Sequence, residues 1–336
     1  MIYFITQEWA NTHGNHAGMV YLHERLRDLH PKEVKTLVLP DKKKKWSFLF
    51  KWLEVLVILL LVTNTKDIIF FTECLSLKKA DQSVIAQILH KLRPSLRLWG
   101  MVHCIPSILE RLYPQKNYKY KLRPFTGVVT LGSSLSSYLI NNGLDKHKVH
   151  TLFHYVDTNY YKPSHDLKYD NQKKYKLHCI CMGNLGRDYT TMANIVLTLP
   201  NIHFDICMGK KDISQYFKEC KNVTLHGFLS ENDFKTLMNQ NNVSLNIMSD
   251  TVGSNVICTS MAMGLAMVCS DVGSIRDYCD DSNSILCKDV NEFTSALEVL
   301  SNDRERVKMM NNNSLRKSAN YNISKYYSAL RMYLLK

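Results

Sequence analysis

The sequence has no CxxC pair and no regular cysteine spacing, although ten cysteines occur among its 336 residues. Zinc ribbons and disulfide-framed secreted domains are therefore disfavoured. Many unpaired cysteines instead indicate a reducing compartment. Cys179 and Cys181 stand two apart in an apolar run, so a strand would point them to opposite faces.

Long apolar runs are also missing. The most hydrophobic segment has its longest charge-free run at residues 55–65, and Lys51 and Glu54 interrupt what precedes it. A membrane-spanning helix needs about 20 apolar residues, so no crossing is expected. The start, MIYFITQEW, has neither a basic segment nor a small-residue cleavage site, and it is interpreted as a first strand rather than a signal peptide.

Metal and nucleic-acid signals are absent as well. No Asp-x-Asp follows an expected strand, and no histidines cluster at ligand spacing along the sequence. No basic patch is interleaved with aromatic residues in a recognisable module. We therefore predict no metal ion, no other cofactor and no nucleic acid as ligands of this chain.

Positive charge is present in excess and is unevenly distributed. The net charge is +13; residues 1–165 carry 23 Lys and Arg against 12 Asp and Glu, whereas the remainder carries 20 against 18. A basic first half indicates an anionic partner such as a phospholipid surface or a pyrophosphate-linked acceptor. A solvated basic face without a partner is the alternative.

Short apolar runs alternate with helical patterns along the whole chain, which predicts α/β domains with parallel, doubly wound sheets. Strands are expected at residues 2–6, 35–39, 67–72, 96–103, 126–131 and 149–153, and then at 177–182, 202–208, 223–225, 243–248, 266–270 and 284–287. Two domains are expected, 1–160 and 172–317, with a polar linker between them. A terminal helix within residues 318–336 should pack back on the first domain.

The segment 46–62 admits two interpretations. It can form a buried helix on the sheet, or it can form an interfacial helix whose preceding lysines, 42–45, meet anionic headgroups. The two can coexist, with the aromatic start at a membrane and the remainder in the core. This hypothesis makes an anionic membrane surface a partner of the protein.

A polar turn at residues 249–255 leads from one expected strand into a helix of small and apolar residues, 256–264. Free amides at the start of a helix, together with the helix dipole, form an anion site. Gly253 would let a phosphate approach the backbone, while Ser254 and Asn255 could cap the helix or donate to phosphate oxygens. An ordinary helix cap without a ligand fits the same pattern.

This region resembles the donor site of the retaining GT-B glycosyltransferases of family 4, through the runs SMAMG at 260–264 and DVGS at 271–274. The runs HYVD at 154–157, CMGNLGRDY at 181–189 and NVTLHGFLS at 222–230 also match. The resemblance covers most of the chain. It implies two Rossmann-like domains facing a cleft, a UDP- or GDP-linked sugar donor, retention at the anomeric carbon and independence of metal.

The resemblance also shows departures. Two glutamates typical of the family would fall at Thr251 and Thr259, and neither position is acidic. Thr259 would offer the ribose only a hydroxyl. Asp250 or Asn255 could substitute for the missing acid that holds the donor sugar.

The diphosphate contacts are reduced too. Asn184 stands where the family has an arginine, and Arg187 is the one cation in reach. A planar guanidinium suits bidentate phosphate binding. Pairing of Arg187 with Asp188 at the surface is the alternative, and Gly227 marks the turn that the family places near the nucleobase.

In the first domain, Gly14 and Gly18 resemble the family's glycine loop beside the donor phosphate or the acceptor. His103 ends an expected strand, where the family has a histidine beside the donor sugar. A strand's carboxyl end is where a ligand-binding residue belongs. We predict that His103 and Arg187 serve catalysis, although His103 could instead be a satisfied core histidine.

These features predict a hexosyltransferase that moves a sugar from a nucleotide sugar to a glycan acceptor. A lipid-linked acceptor in bacterial surface polysaccharide assembly fits the basic first half, and it places the protein in the cytoplasm at the inner face of a membrane. A nucleotide-sugar epimerase of the same fold and a catalytically weak nucleotide-sugar-binding protein are the alternatives.

Overall fold

The computed structural model describes residues 1–9, 14–40, 45–75, 82–164 and 175–335. They form two compact units, Met1–His154 with Ile323–Lys336, and Tyr155–Asn322. Each unit contains a six-stranded parallel sheet with helices, so the expected α/β architecture of two Rossmann-like, doubly wound domains is confirmed. Three expected features fall outside the described residues: the start of the glycine loop at 11–13, Lys42 to Lys44, and the end of the linker at 165–174.

The first sheet has the strand order β2-β1-β3-β4-β5-β6, with every neighbouring pair parallel. Its central strands are almost entirely buried, as their continuous apolar sequences predict for a sheet covered on both faces. The strands are β1 (Ile2–Gln7), β2 (Val34–Leu39), β3 (Ile68–Leu75), β4 (Arg97–Val102), β5 (Gly127–Thr130) and β6 (Val149–Thr151).

Helices connect these strands. The first of them packs on the sheet through Leu22, His23 and Leu26, which the helical period places on one face. Another begins at Pro106, a residue suited to the first turn because it lacks the amide hydrogen that would be unpaired there. The helices are α1 (Met19–Leu29), α2 (Lys45–Val62), α3 (Ser83–Leu92), α4 (Pro106–Leu112), α5 (Gln115–Leu122) and α6 (Ser133–Asn141).

The second sheet has the order β12-β11-β10-β7-β8-β9, again parallel throughout. Its strands are β7 (Leu177–Cys181), β8 (Ile202–Cys207), β9 (Val223–His226), β10 (Val243–Asn246), β11 (Ala266–Ser270) and β12 (Ser284–Cys287). Its helices are α7 (Tyr189–Thr198), α8 (Glu231–Asn239), α9 (Asn255–Ala262), α10 (Val290–Asn302) and α11 (Arg304–Ser318). All twelve expected strands are therefore present, with ends that differ from the expected ones by three residues at most.

The two faces of β7 and β8 differ in chemistry. Cys179, Phe204 and Ile206 point into an apolar core that includes residues of α7 and α10. Because side chains alternate along a strand, His178 and Asp205 lie on the opposite face. All ten cysteines of the chain are free thiols, and most are buried as small apolar residues.

The last helix, α12 (Ile323–Leu334), belongs to the first unit. Tyr326 and Leu330 are fully buried there, and Arg331 pairs with Glu33 at 2.8 Å. The Tyr333 hydroxyl donates to the Thr151 carbonyl at 2.9 Å. The chain thus returns to its first unit after completing the second.

The boundary between the units falls after His154, earlier than the expected residue 160. The reason is visible at Tyr161, which is buried and donates a hydrogen bond to Glu231 at the start of α8. The segment that leaves the first unit is therefore packed on the second before residue 165.

Helix α2 is buried on one side only. Val55 and Leu59 are fully buried, and the helix contacts β2 and α3. Trp46, Phe50 and Leu61 on the other side are 76, 67 and 79% exposed. Helix α2 thus has a core-facing side and a solvent-facing apolar side. No helix in the described part of the chain is long and apolar enough to cross a membrane.

Candidate functional site

In each sheet the strand order reverses between two neighbouring strands, β1 and β3 in the first unit and β7 and β10 in the second. Ligands of such sheets bind outside the carboxyl ends of the strands at this point. The predicted residues of the second domain follow β7, β9 and β10, and those of the first follow β1 and β4. Each unit therefore carries most of its candidate residues at the edge where this fold binds ligands.

Arg187 lies just beyond β7 and is half-buried. Its Nε donates to the Met182 carbonyl at 2.9 Å, and its Nη2 donates to Asn246 Oδ1 at 3.3 Å. Asp188, the alternative partner from sequence, instead caps α7 by accepting from the Thr191 amide at 3.0 Å. Burial lowers the pKa of Arg187, yet an arginine remains a cation in proteins.

Asn246 ends β10 and is fully buried. Its amide nitrogen donates to Ser244 Oγ at 2.9 Å, and Ser260 on α9 donates to the same oxygen at 2.9 Å. This chain of bonds fixes the amide so that its oxygen faces Arg187. Sequence reasoning missed Asn246 because its partner is 59 positions away and only the parallel sheet brings them together.

The loop after β7 lies against the loop after β10. The Ser249 amide donates to the Gly186 carbonyl at 2.9 Å. The backbones of Arg187 and Met248 pair as a single antiparallel β-bridge. Gly183 has a φ of +82°, and a β-carbon there would come within 2.9 Å of the Arg187 guanidinium. Glycine at this turn therefore leaves room for the cation.

Asp250 follows β10 and accepts from the Thr251 amide at 2.7 Å. Burial raises the pKa of its carboxyl group. The DVGS turn packs beside it, because the Ser274 amide donates to the Thr251 carbonyl at 2.8 Å. Gly273 has a φ of +54°, and a β-carbon there would clash with both Asp250 and Thr251. The turn that carried the family resemblance thus supports the loop that holds Asp250.

Helix α9 begins directly after the glycine turn. Ser254 is its N-cap, with the Ile257 amide 3.5 Å from the serine oxygen. Gly253 is partly exposed, and Asn255 is exposed in the first turn. The structure therefore brings the three predicted phosphate-binding residues to one helix start, where unpaired amides favour an anion.

The two threonines at the family's glutamate positions are both buried. Thr251 is 6% exposed, and its hydroxyl donates to the Val252 carbonyl at 3.0 Å. Thr259 is 4% exposed within α9. Neither position supplies a charge to a ligand, and Asp250 is the acidic group of this loop.

Asn184 lies in the same loop after β7 as Arg187, whereas Gly227 follows β9, on the side of β7 away from β10. The Tyr189 hydroxyl donates to Asn184 Oδ1 at 3.3 Å, and Lys211 Nζ lies 5.5 Å from the centre of the Tyr189 ring. Gly227 directly follows β9, and a β-carbon there would meet no atom within 4 Å. Lys211 is an exposed cation near Asn184 that sequence reasoning missed, because it follows β8 rather than β7.

In the first unit, His103 directly follows β4 and is half-buried. Its Nδ1 lies 3.3 Å from Glu73 Oε1 on β3, and the Trp9 indole nitrogen lies 3.4 Å from the same oxygen. The ends of three neighbouring strands thus meet at Glu73. Sequence reasoning missed Glu73, since a glutamate inside an apolar strand gives no spacing signal.

Gly14 and Gly18 lie between β1 and α1. Gly14 has a φ of +70°, which favours glycine, and Gly18 is the N-cap of α1. The Gly18 amide donates to the Asn15 carbonyl at 2.8 Å, which closes a tight turn before the helix. Both glycines therefore stand at a helix start beside the switch point of the first sheet.

Comparison with known proteins finds a family match within the second unit. The family model described as glycosyl transferases group 1 matches residues 179–303, the stretch that contains Arg187, Asp250 and α9. No curated protein matches the chain.

Solved structures match the chain over nearly its whole length. Anabaena HepE in complex with UDP and glucose has a TM-score of 0.71 at 13% identity, with 99% of each chain covered. Sucrose-phosphate synthase from Thermosynechococcus elongatus has a TM-score of 0.72 at 13% identity, covering 99% of this chain and 97% of its own. The lipopolysaccharide outer core galactosyltransferase WaaB has a TM-score of 0.69 at 11% identity, covering 100% and 99%.

The fold is that of the GT-B glycosyltransferases. With the group 1 match in its second unit, the chain is a glycosyltransferase.

Proposed function

We propose that this enzyme transfers a hexose from a UDP- or GDP-linked sugar to a lipid-linked glycan in bacterial surface polysaccharide assembly. The group 1 match supports sugar transfer. UDP and glucose in HepE support the donor class, and the acceptor class draws on WaaB, a lipopolysaccharide galactosyltransferase. Retention at the anomeric carbon and independence of metal are proposed from the resemblance to family 4.

The observation that carries the donor assignment is the surroundings of Arg187. Its two hydrogen-bond acceptors, Met182 O and Asn246 Oδ1, are neutral, and it forms no ion pair within the described ranges. A half-buried cation without a counter-charge is costly, so an anionic ligand there is stabilised. A diphosphate offers the paired oxygens that a guanidinium binds well.

In the proposed reaction Arg187 and the amides at the start of α9 stabilise the charge that develops on the departing nucleoside diphosphate. Fixed donors do this without rearrangement, and the hydrogen bond that Arg187 donates to Asn246 helps to fix the guanidinium. The remaining donor contacts follow the positions described above. We assign phosphate contacts to Gly253, Ser254 and Asn184, sugar contacts to Asp250 and Asn255, a ribose contact to Thr259 and a nucleobase contact to Gly227.

We assign His103 to the transferred sugar, with Glu73 holding the imidazole through Nδ1. The second ring nitrogen, Nε2, lies 2.6 Å from Met101 Sδ. We propose that a sugar hydroxyl replaces this sulfur as its partner, because a neutral imidazole can meet a hydroxyl as donor or acceptor. Gly14 and Gly18 would let the donor phosphate or the acceptor approach the backbone before α1.

The acceptor and membrane parts of the proposal are supported by α2. Trp46, Phe50, Val57 and Leu61 are exposed at spacings of four, seven and four residues, which places them on one side of the helix. The lysines at 42–45 add positive charge at its start in the sequence. Such a helix is suited to lie on an anionic lipid surface, at the cytoplasmic face where nucleotide sugars are used.

A thermal-shift panel of UDP-, GDP- and CMP-sugars tests the donor assignment, because a ligand that binds only the native state raises the melting temperature. We expect a UDP- or GDP-sugar to give the largest shift. Arg187→Ala should weaken that binding about 30- to 100-fold, the effect of losing a charge-assisted contact. Arg316→Ala, an exposed arginine on α11, is the matched control and should bind as the wild type does.

If none of these nucleotide sugars raises the melting temperature, the protein is not the proposed transferase. Binding without transfer to lipid-linked or free glycans would favour a catalytically weak binding protein, the function that Thr251 and Thr259 would explain. Conversion of the donor sugar in the absence of any acceptor would favour an epimerase.

A further inference from the structure

We propose that His178, His203 and Asp205 form a binding site for a Zn²⁺-like divalent transition-metal ion, at the end of the second sheet opposite the donor site. One donor atom from each of these side chains lies within 4.8 Å of the other two. Two imidazoles and a carboxylate are a common ligand set for zinc, with water completing the coordination. No step of sugar transfer depends on this site.

The parallel sheet creates the arrangement. His178 is the second residue of β7 and His203 is the second residue of β8, and the two are direct partners in the strand register. Asp205 follows His203 by two positions and therefore shares its face. The three ligands thus stand on adjacent strands of a rigid element, which is how precise metal sites are held.

Neighbouring side chains orient the carboxylate of Asp205. His226 Nε2 lies 2.7 Å from Asp205 Oδ1, and the Asn241 amide donates to Oδ2 at 2.9 Å. Partners of this kind around a metal-binding carboxylate orient it and tune the site.

The imidazole of His203 has one ring nitrogen without a hydrogen-bond partner among the described residues. Its Nε2 lies 3.3 Å from Thr224 Oγ1 and 3.6 Å from Asp205 Oδ1. Its Nδ1 is buried and has no hydrogen-bond partner among the described residues. A buried polar atom without a partner is costly. A bound metal would offset this cost, because a rotation of the ring would let one of its nitrogens bind the ion.

Small movements would close the site. Ligand atoms around a tetrahedral zinc are separated by roughly 3.4 Å, given bonds of about 2.1 Å. The separation of 3.6 Å between His203 Nε2 and Asp205 Oδ1 is already close to this value. Tyr175 covers the pair of imidazoles, with its ring 5.2 Å from that of His203 and 6.2 Å from that of His178.

The site is distinct from the donor site because it lies at the amino ends of β7 and β8, whereas Arg187 follows the carboxyl end of β7. Bound metal would link the two strands and stabilise the folded second unit. Its expected effect is therefore on the melting temperature and not on turnover.

The test uses the full chain without a polyhistidine tag, stripped with a chelator and then given Zn²⁺ alone. We expect stoichiometric zinc after gel filtration and a melting temperature raised by about 5 °C or more at saturating zinc. His178→Gln and His203→Gln should abolish both effects. His147→Gln, an exposed histidine of the first unit, is the matched control and should change neither.

Two results would overturn the proposal: a wild-type protein that retains no zinc, or glutamine variants that retain as much zinc as the wild type. If the variants do not fold, the wild type with Co²⁺ still decides. A visible spectrum typical of four- or five-coordinate Co²⁺ supports the site, and the spectrum of six-coordinate aqueous Co²⁺ contradicts it. Retained transferase activity after chelation would separate this site from the donor site, whose assignment stands on other residues.

Discussion

The candidate residues of the two units differ in how their charge is balanced. In the first unit the imidazole of His103 faces a carboxylate, Glu73, at 3.3 Å. In the second unit the guanidinium of Arg187 faces only neutral oxygens, at 2.9 and 3.3 Å. Both arrangements lie at the carboxyl ends of strands near a switch point of the sheet. The two units therefore place side chains of different chemistry at equivalent positions of the fold.

This difference in charge balance indicates which part of a nucleotide sugar each unit is suited to bind. A cation with uncompensated charge attracts an anion, and the diphosphate is the anionic part of a nucleotide sugar. An imidazole held by a carboxylate is suited to the neutral hydroxyls of the sugar, which need a directed donor or acceptor rather than net charge. Variants that affect binding and turnover separately will therefore test this comparison.

The largest effect is expected at His103. Because its proposed contact strengthens in the transition state, His103→Ala should lower kcat about 100-fold while the dissociation constant of the donor changes little. Single-turnover kinetics and donor titration measure the two quantities. His90→Ala, at an exposed histidine of α3, is the control. A folded His103→Ala protein with wild-type kcat would remove His103 from the reaction.

A smaller effect is expected at Asn246, which orients Arg187 without itself reaching a ligand. Asn246→Ala should weaken donor binding about tenfold, because the guanidinium loses a fixed acceptor. Asn246→Asp should weaken it further, since a carboxylate at this position would neutralise the cation. Ser301→Ala, at a partly exposed serine of α10, controls for loss of a polar side chain. A folded Asn246→Ala protein with the donor affinity of the wild type would contradict a positioning role.

The strands could be predicted from the sequence because each is a short apolar run bounded by polar turns, as at Ile2–Gln7 and Ala266–Ser270. The helix start at Ser254 followed from capping chemistry in the same way. Local sequence contains the information for both. The turn at 271–274 was recognised through the family resemblance, and the structure gives its Gly273 a φ of +54°.

Contacts made by the sheet could not be predicted in this way. Arg187 meets Asn246 across 59 positions, and His178 pairs with His203 only through the register of β7 and β8. The histidines therefore gave no ligand spacing along the chain, although the fold places them together. The domain boundary was missed for a similar reason, because Tyr161 is held by a hydrogen bond to the distant Glu231.

The smallest expected effect concerns α2, which presents an apolar side to solvent in the first unit. Trp46→Ser with Phe50→Ser should lower binding to vesicles of anionic lipid about five- to tenfold, because two interfacial side chains are lost and the preceding lysines remain. Co-sedimentation measures this binding. Transfer to an acceptor in solution should be unchanged.

Met332→Ser is the matched control for α2, because Met332 is a 63% exposed apolar residue on another helix of the same unit. Glutamine at positions 42–45 should also reduce binding, and this loss should shrink as salt rises, whereas the loss from Trp46 and Phe50 should not. If the paired serine variant and the glutamine variant both bind anionic vesicles as tightly as the wild type, the exposed side of α2 has no membrane role. The excess positive charge of residues 1–165 would then be explained by the acceptor alone.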